Sequence, residues 1–163
     1  MSLERILLIA VWAVTIIGVV MLTPRQQIRQ AVVVFMFKQI ITWLFGLLVV
    51  EYRLIAYPIR EFVYASRTSF SFEYFIYPAI CVVFVLRYPD HKPVPYRLGW
   101  YCLFPTWMTI AEVLFEKYTR LIDYLEWSWY WTWLTLLATF FLSRHFYLWF
   151  VKKNIAQPQG QGR

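Results

Sequence analysis

The chain has 163 residues, of which 61% are hydrophobic, 21% aromatic and only 15% charged, and its net charge is +7 at pH 7. Soluble domains are about 45–50% apolar and about 25% charged, so this composition excludes an ordinary soluble domain. The length suits one unit and is too short for two ordinary domains. We therefore expect one integral membrane domain, whose positive charge sets its orientation rather than binding nucleic acid.

Five apolar runs predict membrane-spanning helices, because each approaches the length of about 20 residues that crosses a hydrocarbon core. They cover residues 6–22, 31–50, 70–86, 98–115 and 127–151. A signal peptide is the alternative for the first run, but Thr23, Pro24 and Arg25 follow it instead of a small-residue cleavage site. The third and fourth runs contain Pro78 and Pro105, which predict kinks rather than breaks in membrane helices.

Two stretches between the runs carry apolar residues at helical spacing. These are Leu54, Ile55, Ile59, Phe62 and Val63 within residues 51–66, and Tyr118, Leu121, Ile122 and Leu125 within residues 116–126. The spacing predicts two short amphipathic helices that lie in the membrane interface. The expected fold is therefore an all-α bundle of about five transmembrane helices with two interfacial helices. It forms one domain, residues 1–153, followed by a disordered tail, residues 154–163.

The distribution of Lys and Arg predicts the orientation of this bundle. Nine of these cations fall on the side that holds the C-terminus, and six fall on the opposite side. Cationic loops remain in the cytoplasm, so we expect the N-terminus outside and the C-terminus inside a cytoplasmic membrane. Aromatic residues crowd both ends of the last run, a pattern typical of interfacial belts. A ligand-binding platform is the alternative interpretation of this aromatic pattern.

Charged residues within the apolar runs are candidate site residues, since each costs about 2.5–3.5 kcal/mol at the centre of a membrane helix. The candidate polar cluster consists of Glu73, Glu112, Glu116, Arg67, Arg120 and Lys38. Glu73 and Glu112 fall near the same side of the membrane, so we expect them to approach each other and to contact Arg67, Arg120 or both. Nearby hydroxyl donors are expected from three tyrosines, Tyr74, Tyr77 and Tyr118. Lys38 is expected either to extend its stem toward the interface or to pair with another helix.

Two interpretations of this cluster remain open. The first is a structural ion-pair network that fixes the interfacial segments. The second is a protonatable relay or a cation site, because buried carboxylates often titrate near neutral pH.

No pattern in the chain points to catalysis or to a bound cofactor. The serines lack the Gly-x-Ser-x-Gly pattern of a hydrolase, and no glycine-rich phosphate loop is present. His91 and His145 have no second histidine at metal-ligand spacing, and Cys81 and Cys102 lie in apolar runs where free thiols are expected. We therefore predict a protein that is not an enzyme, with no catalytic, cofactor-binding or metal-ligating residue.

Several aromatic-rich strings resemble a family of small, uncharacterised multi-pass membrane proteins from endospore-forming Firmicutes. They are residues 68–81 (TSFSFEYFIYPAIC), 112–124 (EVLFEKYTRLIDY), 127–133 (WSWYWTW) and 143–149 (SRHFYLW). The resemblance covers roughly residues 30–152. It implies a bacterial source and a membrane location, and it implies no catalytic residue.

Three classes of function are compatible with these features. The one we expect is a non-enzymatic structural or accessory component of a membrane assembly. The alternative is a small oligomeric transporter or channel, linked to protons or cations, that uses Glu73, Glu112 and Lys38. An intramembrane enzyme is the third. The expected partners are the lipid bilayer and either another membrane protein or further copies of this chain, with no nucleic acid.

Overall fold

The computed structural model describes residues 3–155, and it describes side chains for residues 3–151. Within this part the chain forms five α-helices: α1 (Leu3–Leu22), α2 (Ile28–Glu51), α3 (Tyr77–Leu86), α4 (Val94–Tyr118) and α5 (Trp129–Ile155). A 3₁₀ turn, Arg25–Gln27, leads into α2, and a π-helical segment, Ser71–Ile76, runs directly into α3. The predicted all-α fold is confirmed. Of the predicted tail, residues 154 and 155 end α5, and residues 156–163 lie outside the described residues.

Four of the five predicted spans are helices long and apolar enough to cross a membrane. They are Leu3–Leu22, Arg25–Glu51, Val94–Tyr118 and Trp129–Val151. The predicted span at residues 70–86 is a shorter apolar helix, Ser71–Leu86. Its 16 residues rise by about 24 Å, less than the roughly 30 Å of a typical hydrocarbon core.

The prediction of two interfacial helices is wrong. The segment after α2 forms β1 (Ile55–Ala56), the segment after α4 forms β2 (Asp123–Tyr124), and the two strands pair antiparallel. Ile55 and Leu121 are buried inside the protein rather than facing lipid. Backbone pairing between segments distant in sequence satisfies the polar groups that a local helix would have satisfied. Helical spacing of apolar residues does not reveal such a distant partner.

The short helix α3 lies at the centre of the bundle. Its residues Cys81, Val82, Phe84 and Val85 are at most 1% exposed. Phe84 packs against rings from two other helices, with centroid distances of 5.3 Å to Phe104 and 4.7 Å to Phe140. Since its neighbours cover α3, its apolar surface is buried by protein, whereas α1, α2, α4 and α5 leave large apolar side chains exposed.

An ion pair lies at the end of the bundle away from the strands. Arg144, on α5, is only 3% exposed, and its Nη2 atom lies 2.5 and 2.6 Å from the two carboxylate oxygens of Asp90. Its Nη1 atom donates to the carbonyl of Val85 at 3.1 Å, and its guanidinium lies 4.5 Å from the ring of Tyr88. Arg144 is one of the nine cations assigned from the sequence to the side that holds the C-terminus. In the structure Asp90 balances its charge within the protein.

Candidate functional site

A partly open cavity of about 70 Å³, which we call the acidic cavity, lies between α2 and α5. Its polar lining consists of two carboxylates, two tyrosine hydroxyls and four threonines: Glu73, Glu112, Tyr57, Tyr77, Thr42, Thr132, Thr135 and Thr139. A molecule of liquid water occupies about 30 Å³, so the cavity has room for about two waters or one small cation.

Glu73 lies in the π-helical segment, where the backbone forms a wider turn than in an α-helix. Pro78 follows this segment and has no N–H, so it cannot donate to the carbonyl of Glu73 or of Tyr74. Two side chains of α2 donate instead, Thr42 Oγ1 to the Glu73 carbonyl at 2.7 Å and Gln39 Nε2 to the Tyr74 carbonyl at 2.9 Å. Contacts with α2 therefore hold the wide turn that carries Glu73.

Gly46, on α2, makes room for the side chain of Glu73. A Cβ atom at position 46 would lie 2.8 Å from Cδ, 3.0 Å from Cγ and 3.1 Å from Oε1 of Glu73. Real Cβ atoms essentially never approach another atom within 3.0 Å, so Cδ of Glu73 would have to move. A glycine at this position thus lets the carboxyl group lie against the backbone of α2.

The carboxyl group of Glu73 accepts a hydrogen bond from the hydroxyl of Tyr57 at 3.1 Å. Within residues 3–151 no other side chain donates to this carboxyl group, although Glu73 is only 7% exposed. Burial, and next the charge of Glu73, raise the pKa of Tyr57 well above its usual value. Tyr57 therefore stays protonated and remains a donor at physiological pH.

The carboxyl group of Glu112, on α4, is held by three hydroxyl groups. Tyr77 donates at 2.7 Å, Tyr124 at 2.7 Å and Thr132 at 2.9 Å. Burial, and next the charge of Glu112, raise the pKa of Tyr124, so this phenol also stays a donor. Glu112 thus has three donors and Glu73 has one, so Glu73 retains more unpaired lone pairs, and both side chains line the acidic cavity.

Lys38 lies one helical turn before Thr42 on α2 and is completely buried. Its Nζ atom donates to Thr139 Oγ1 at 2.5 Å and lies 4.6 Å from the centre of the Phe140 ring. Thr139 lines the acidic cavity, so it separates the ammonium group from the cavity. Lys38 also interacts electrostatically with Glu73, at longer range than a salt bridge.

The structure therefore brings together three residues of the candidate cluster, Glu73, Glu112 and Lys38. Lys38 does not extend toward the interface as one prediction had it, but pairs with α5. In the described part of the chain, Arg67 and Arg120 make no ion pair with either carboxylate. Glu116 does not line the cavity. The carboxyl groups accept hydrogen bonds from tyrosines and a threonine instead of the expected arginines. Of the three tyrosines expected nearby, Tyr77 donates to Glu112.

Several residues of the acidic cavity are not predicted from the sequence, above all Tyr57, Gly46 and the threonines of α5. One signal was present: Thr132, Thr139 and Ser143 recur at intervals of seven and four, which places them on one face of α5. The carboxylates face this polar stripe across the bundle. The position of Tyr57 depends on the strand pair, which no local pattern indicated.

A second, apolar cavity of about 300 Å³ lies between α1 and α4. Tyr77 and Glu112 line it as well as the acidic cavity, so these two side chains form part of the wall between them. The other lining residues are mostly aliphatic or aromatic, among them Val14, Ile80 and Trp107. The polar site is thus close to an apolar space that opens between two helices.

Among the described residues, no group of three or more His, Cys, Asp or Glu side chains is placed to hold a metal ion. The acidic cavity offers two carboxylates and several hydroxyl groups, which suits a proton or a weakly held monovalent cation better than a transition metal. Compared with models of protein families, with curated proteins and with solved structures, the chain matches none.

Proposed function

We propose that this chain is a multi-pass protein of a bacterial cytoplasmic membrane that takes up and releases a proton, or a small monovalent cation, at Glu73. The membrane location is supported by four long apolar helices and by the apolar side chains that they leave exposed. Such a surface is expected to face lipid, since a soluble protein rarely exposes large contiguous apolar patches. The bacterial source rests on the resemblance of the aromatic-rich strings alone.

The proposed orientation has the N-terminus outside and the C-terminus inside. In a chain without Cys81 and Cys102, an impermeant thiol reagent added to intact cells should modify a cysteine placed at Glu61 or Asp123. It should leave a cysteine at Lys92 or Gln159 unmodified until the cells are opened. The reverse pattern would invert the orientation, and labelling of both sets in intact cells would contradict the number of spans.

The observation that carries the functional proposal is the difference between the two buried carboxylates. Both carboxyl groups line the acidic cavity, but Glu112 has three hydroxyl donors and Glu73 has one. A membrane-embedded ionisable group that lacks a full set of partners is expensive to maintain and is a functional candidate. Glu73 is therefore the group proposed to gain and lose the proton or cation, and Glu112 is proposed to hold its surroundings in place.

Neighbouring groups can stabilise both states of Glu73. When the carboxylate is ionised, the phenol of Tyr57 donates to it and the charge of Lys38 attracts it across the interior. When the carboxyl group is protonated, it can donate a hydrogen bond to the Tyr57 oxygen or to a water in the cavity. The hydrogen bond of Lys38 to Thr139 does not involve Glu73, so we expect it to persist in either state.

We expect Glu73→Gln to abolish transport while the fold survives, because an amide keeps the shape of the carboxyl group and cannot exchange a proton. The purified chain in liposomes should carry a proton or monovalent-cation flux under an imposed gradient. Glu73→Gln should reduce this flux at least about tenfold, which corresponds to an increase of about 1.4 kcal/mol in the barrier to transport. The matched control is Glu116→Gln, which removes the same charge one helical turn beyond Glu112.

A wild-type flux no greater than that of empty liposomes would overturn the transport proposal. The same result, together with a lower melting temperature for Glu73→Gln, would favour the second candidate function, a structural or accessory component of a membrane assembly. The three hydrogen bonds to Glu112 support that candidate. A protein that co-purifies stoichiometrically in mild detergent is the result expected from it.

A further inference from the structure

A pocket of about 240 Å³, which we call the arginine pocket, lies beside β1 and is lined by Arg53, Arg60 and Arg67. Its remaining lining residues are Val50, Ile55, Ala56, Tyr57, Pro58 and Leu125, so no acidic side chain of residues 3–151 lines it. Three positive charges around one space repel each other unless an anion balances them.

The three arginines differ in what they contact. Arg60 is fixed by backbone carbonyls, since its Nε atom donates to Ser66 at 2.8 Å and its Nη1 atom to Tyr57 at 2.9 Å. In the described part of the chain, the side chains of Arg53 and Arg67 make no hydrogen bond and no ion pair. Two guanidinium groups are therefore available to a ligand, and the third adds a fixed positive charge.

The backbone at Arg53 supports a role for its side chain. Arg53 has a φ of 54°, the left-handed conformation that favours glycine, and it lies two residues after Glu51, the last residue of α2. Other residue types adopt this conformation at a cost, and they persist where the surroundings or a function require them. A glycine would fit this backbone better but would remove a guanidinium from the pocket.

We propose that the arginine pocket binds the phosphate group of an anionic ligand. Guanidinium groups match phosphate oxygens with paired, charge-assisted hydrogen bonds, and two of them are available here. The apolar side chains of Val50, Ile55 and Leu125 line the same pocket and suit a hydrocarbon portion next to the phosphate. The pocket lies beyond the end of α2, where both a phospholipid headgroup and a soluble phosphate can reach it. This inference does not rest on transport at Glu73.

The test measures phosphate binding by the full-length purified chain, with two probes. The first is inorganic phosphate, compared with chloride at equal ionic strength. The second is phosphatidylglycerol in a phosphatidylcholine nanodisc, compared with phosphatidylcholine alone. The wild type should gain thermal stability from at least one probe. An effect of phosphatidylglycerol alone assigns the pocket to a lipid headgroup, and an effect of inorganic phosphate in phosphatidylcholine assigns it to a soluble phosphate.

Three variants make the result specific to the pocket. Arg53→Gln with Arg67→Gln should weaken binding at least about tenfold, because charge-assisted bonds from both guanidinium groups are lost. Arg25→Gln with Arg29→Gln removes the same charge at the other end of α2 and should leave binding unchanged. Arg53→Gly should weaken binding while melting at the same or a higher temperature, because glycine adopts the positive φ at position 53 without strain.

Two results would overturn the proposal. One is a wild type that prefers neither phosphate over chloride nor phosphatidylglycerol over phosphatidylcholine. The other is equal loss of binding in the two double variants, which would mean that only the net charge matters. Neither result depends on flux, so a failure of transport at Glu73 is distinguishable from a failure at this pocket.

Discussion

Glu112→Leu is expected to lower the free energy of unfolding by about 3 kcal/mol, the largest loss of stability that we predict for one side chain. The substitution removes the shared acceptor of Tyr77, Tyr124 and Thr132. A buried donor left without a partner costs about 1–3 kcal/mol. Thr132 also lies 3.1 Å from the Tyr124 hydroxyl, so these two can still pair and the three costs do not add in full.

Unfolding in detergent, followed by circular dichroism or by tryptophan fluorescence, measures this loss. For a chain of this size about 3 kcal/mol corresponds to a decrease in melting temperature of about 6–12 °C. Glu112→Gln keeps one oxygen acceptor and should lose less. Glu116→Leu, whose side chain lies outside the acidic cavity, should change stability by no more than about 0.5 kcal/mol. Equal melting temperatures for Glu112→Leu and Glu116→Leu would mean that the hydroxyl network does not form.

Gly46→Ala is expected to reduce flux about tenfold, although alanine is the better helix former. The added methyl group would lie 2.8 Å from Cδ of Glu73, so the carboxyl group has to move away from its hydrogen bond with Tyr57. Overpacking of this kind costs about 1–3 kcal/mol, which is at least as large as the gain of about 1 kcal/mol in helix propensity. Flux in liposomes should therefore fall, and the melting temperature in detergent should not rise.

Gly18→Ala is the matched control for this substitution. Gly18 lies on α1, and a Cβ atom there would have no neighbour within 4 Å. Alanine at position 18 should gain the helix propensity without a clash, so the melting temperature should stay the same or rise and flux should not change. If Gly46→Ala behaved like Gly18→Ala, the close approach of Glu73 to α2 would be contradicted.

The sequence predicts the helices well because their apolar runs are long and continuous. Helices α1, α2, α4 and α5 begin or end within a few residues of the predicted bounds. The segments after α2 and α4 could not be predicted in the same way. Their apolar residues repeat at helical spacing, but the distant pairing of Ile55 with Tyr124 gives them a different structure. Local periodicity carries no information on such a partner.

The site is predicted in part, for a physical reason that differs from residue to residue. Glu73 and Glu112 could be placed together because charges in apolar runs are few and their depths along the helices are countable. Of their partners only Tyr77 is predicted, because a linear sequence does not show which arginines and tyrosines lie within reach of a buried carboxyl group. The role of Gly46 depends on a contact of a few ångströms between α2 and the π-helical segment, which appears only in three dimensions.

Whether Glu73 exchanges a proton inside the bundle is measured most directly by its reaction with a hydrophobic carbodiimide, which modifies protonated carboxyl groups in apolar surroundings. The wild-type chain in liposomes should be modified at Glu73, as read by peptide mass spectrometry, and the modification should decrease as the pH is raised. Added monovalent cation should protect Glu73 if a cation rather than a proton occupies the acidic cavity. An unmodified Glu73 at every pH, or modification that does not vary with pH or cation, would contradict exchange at this residue.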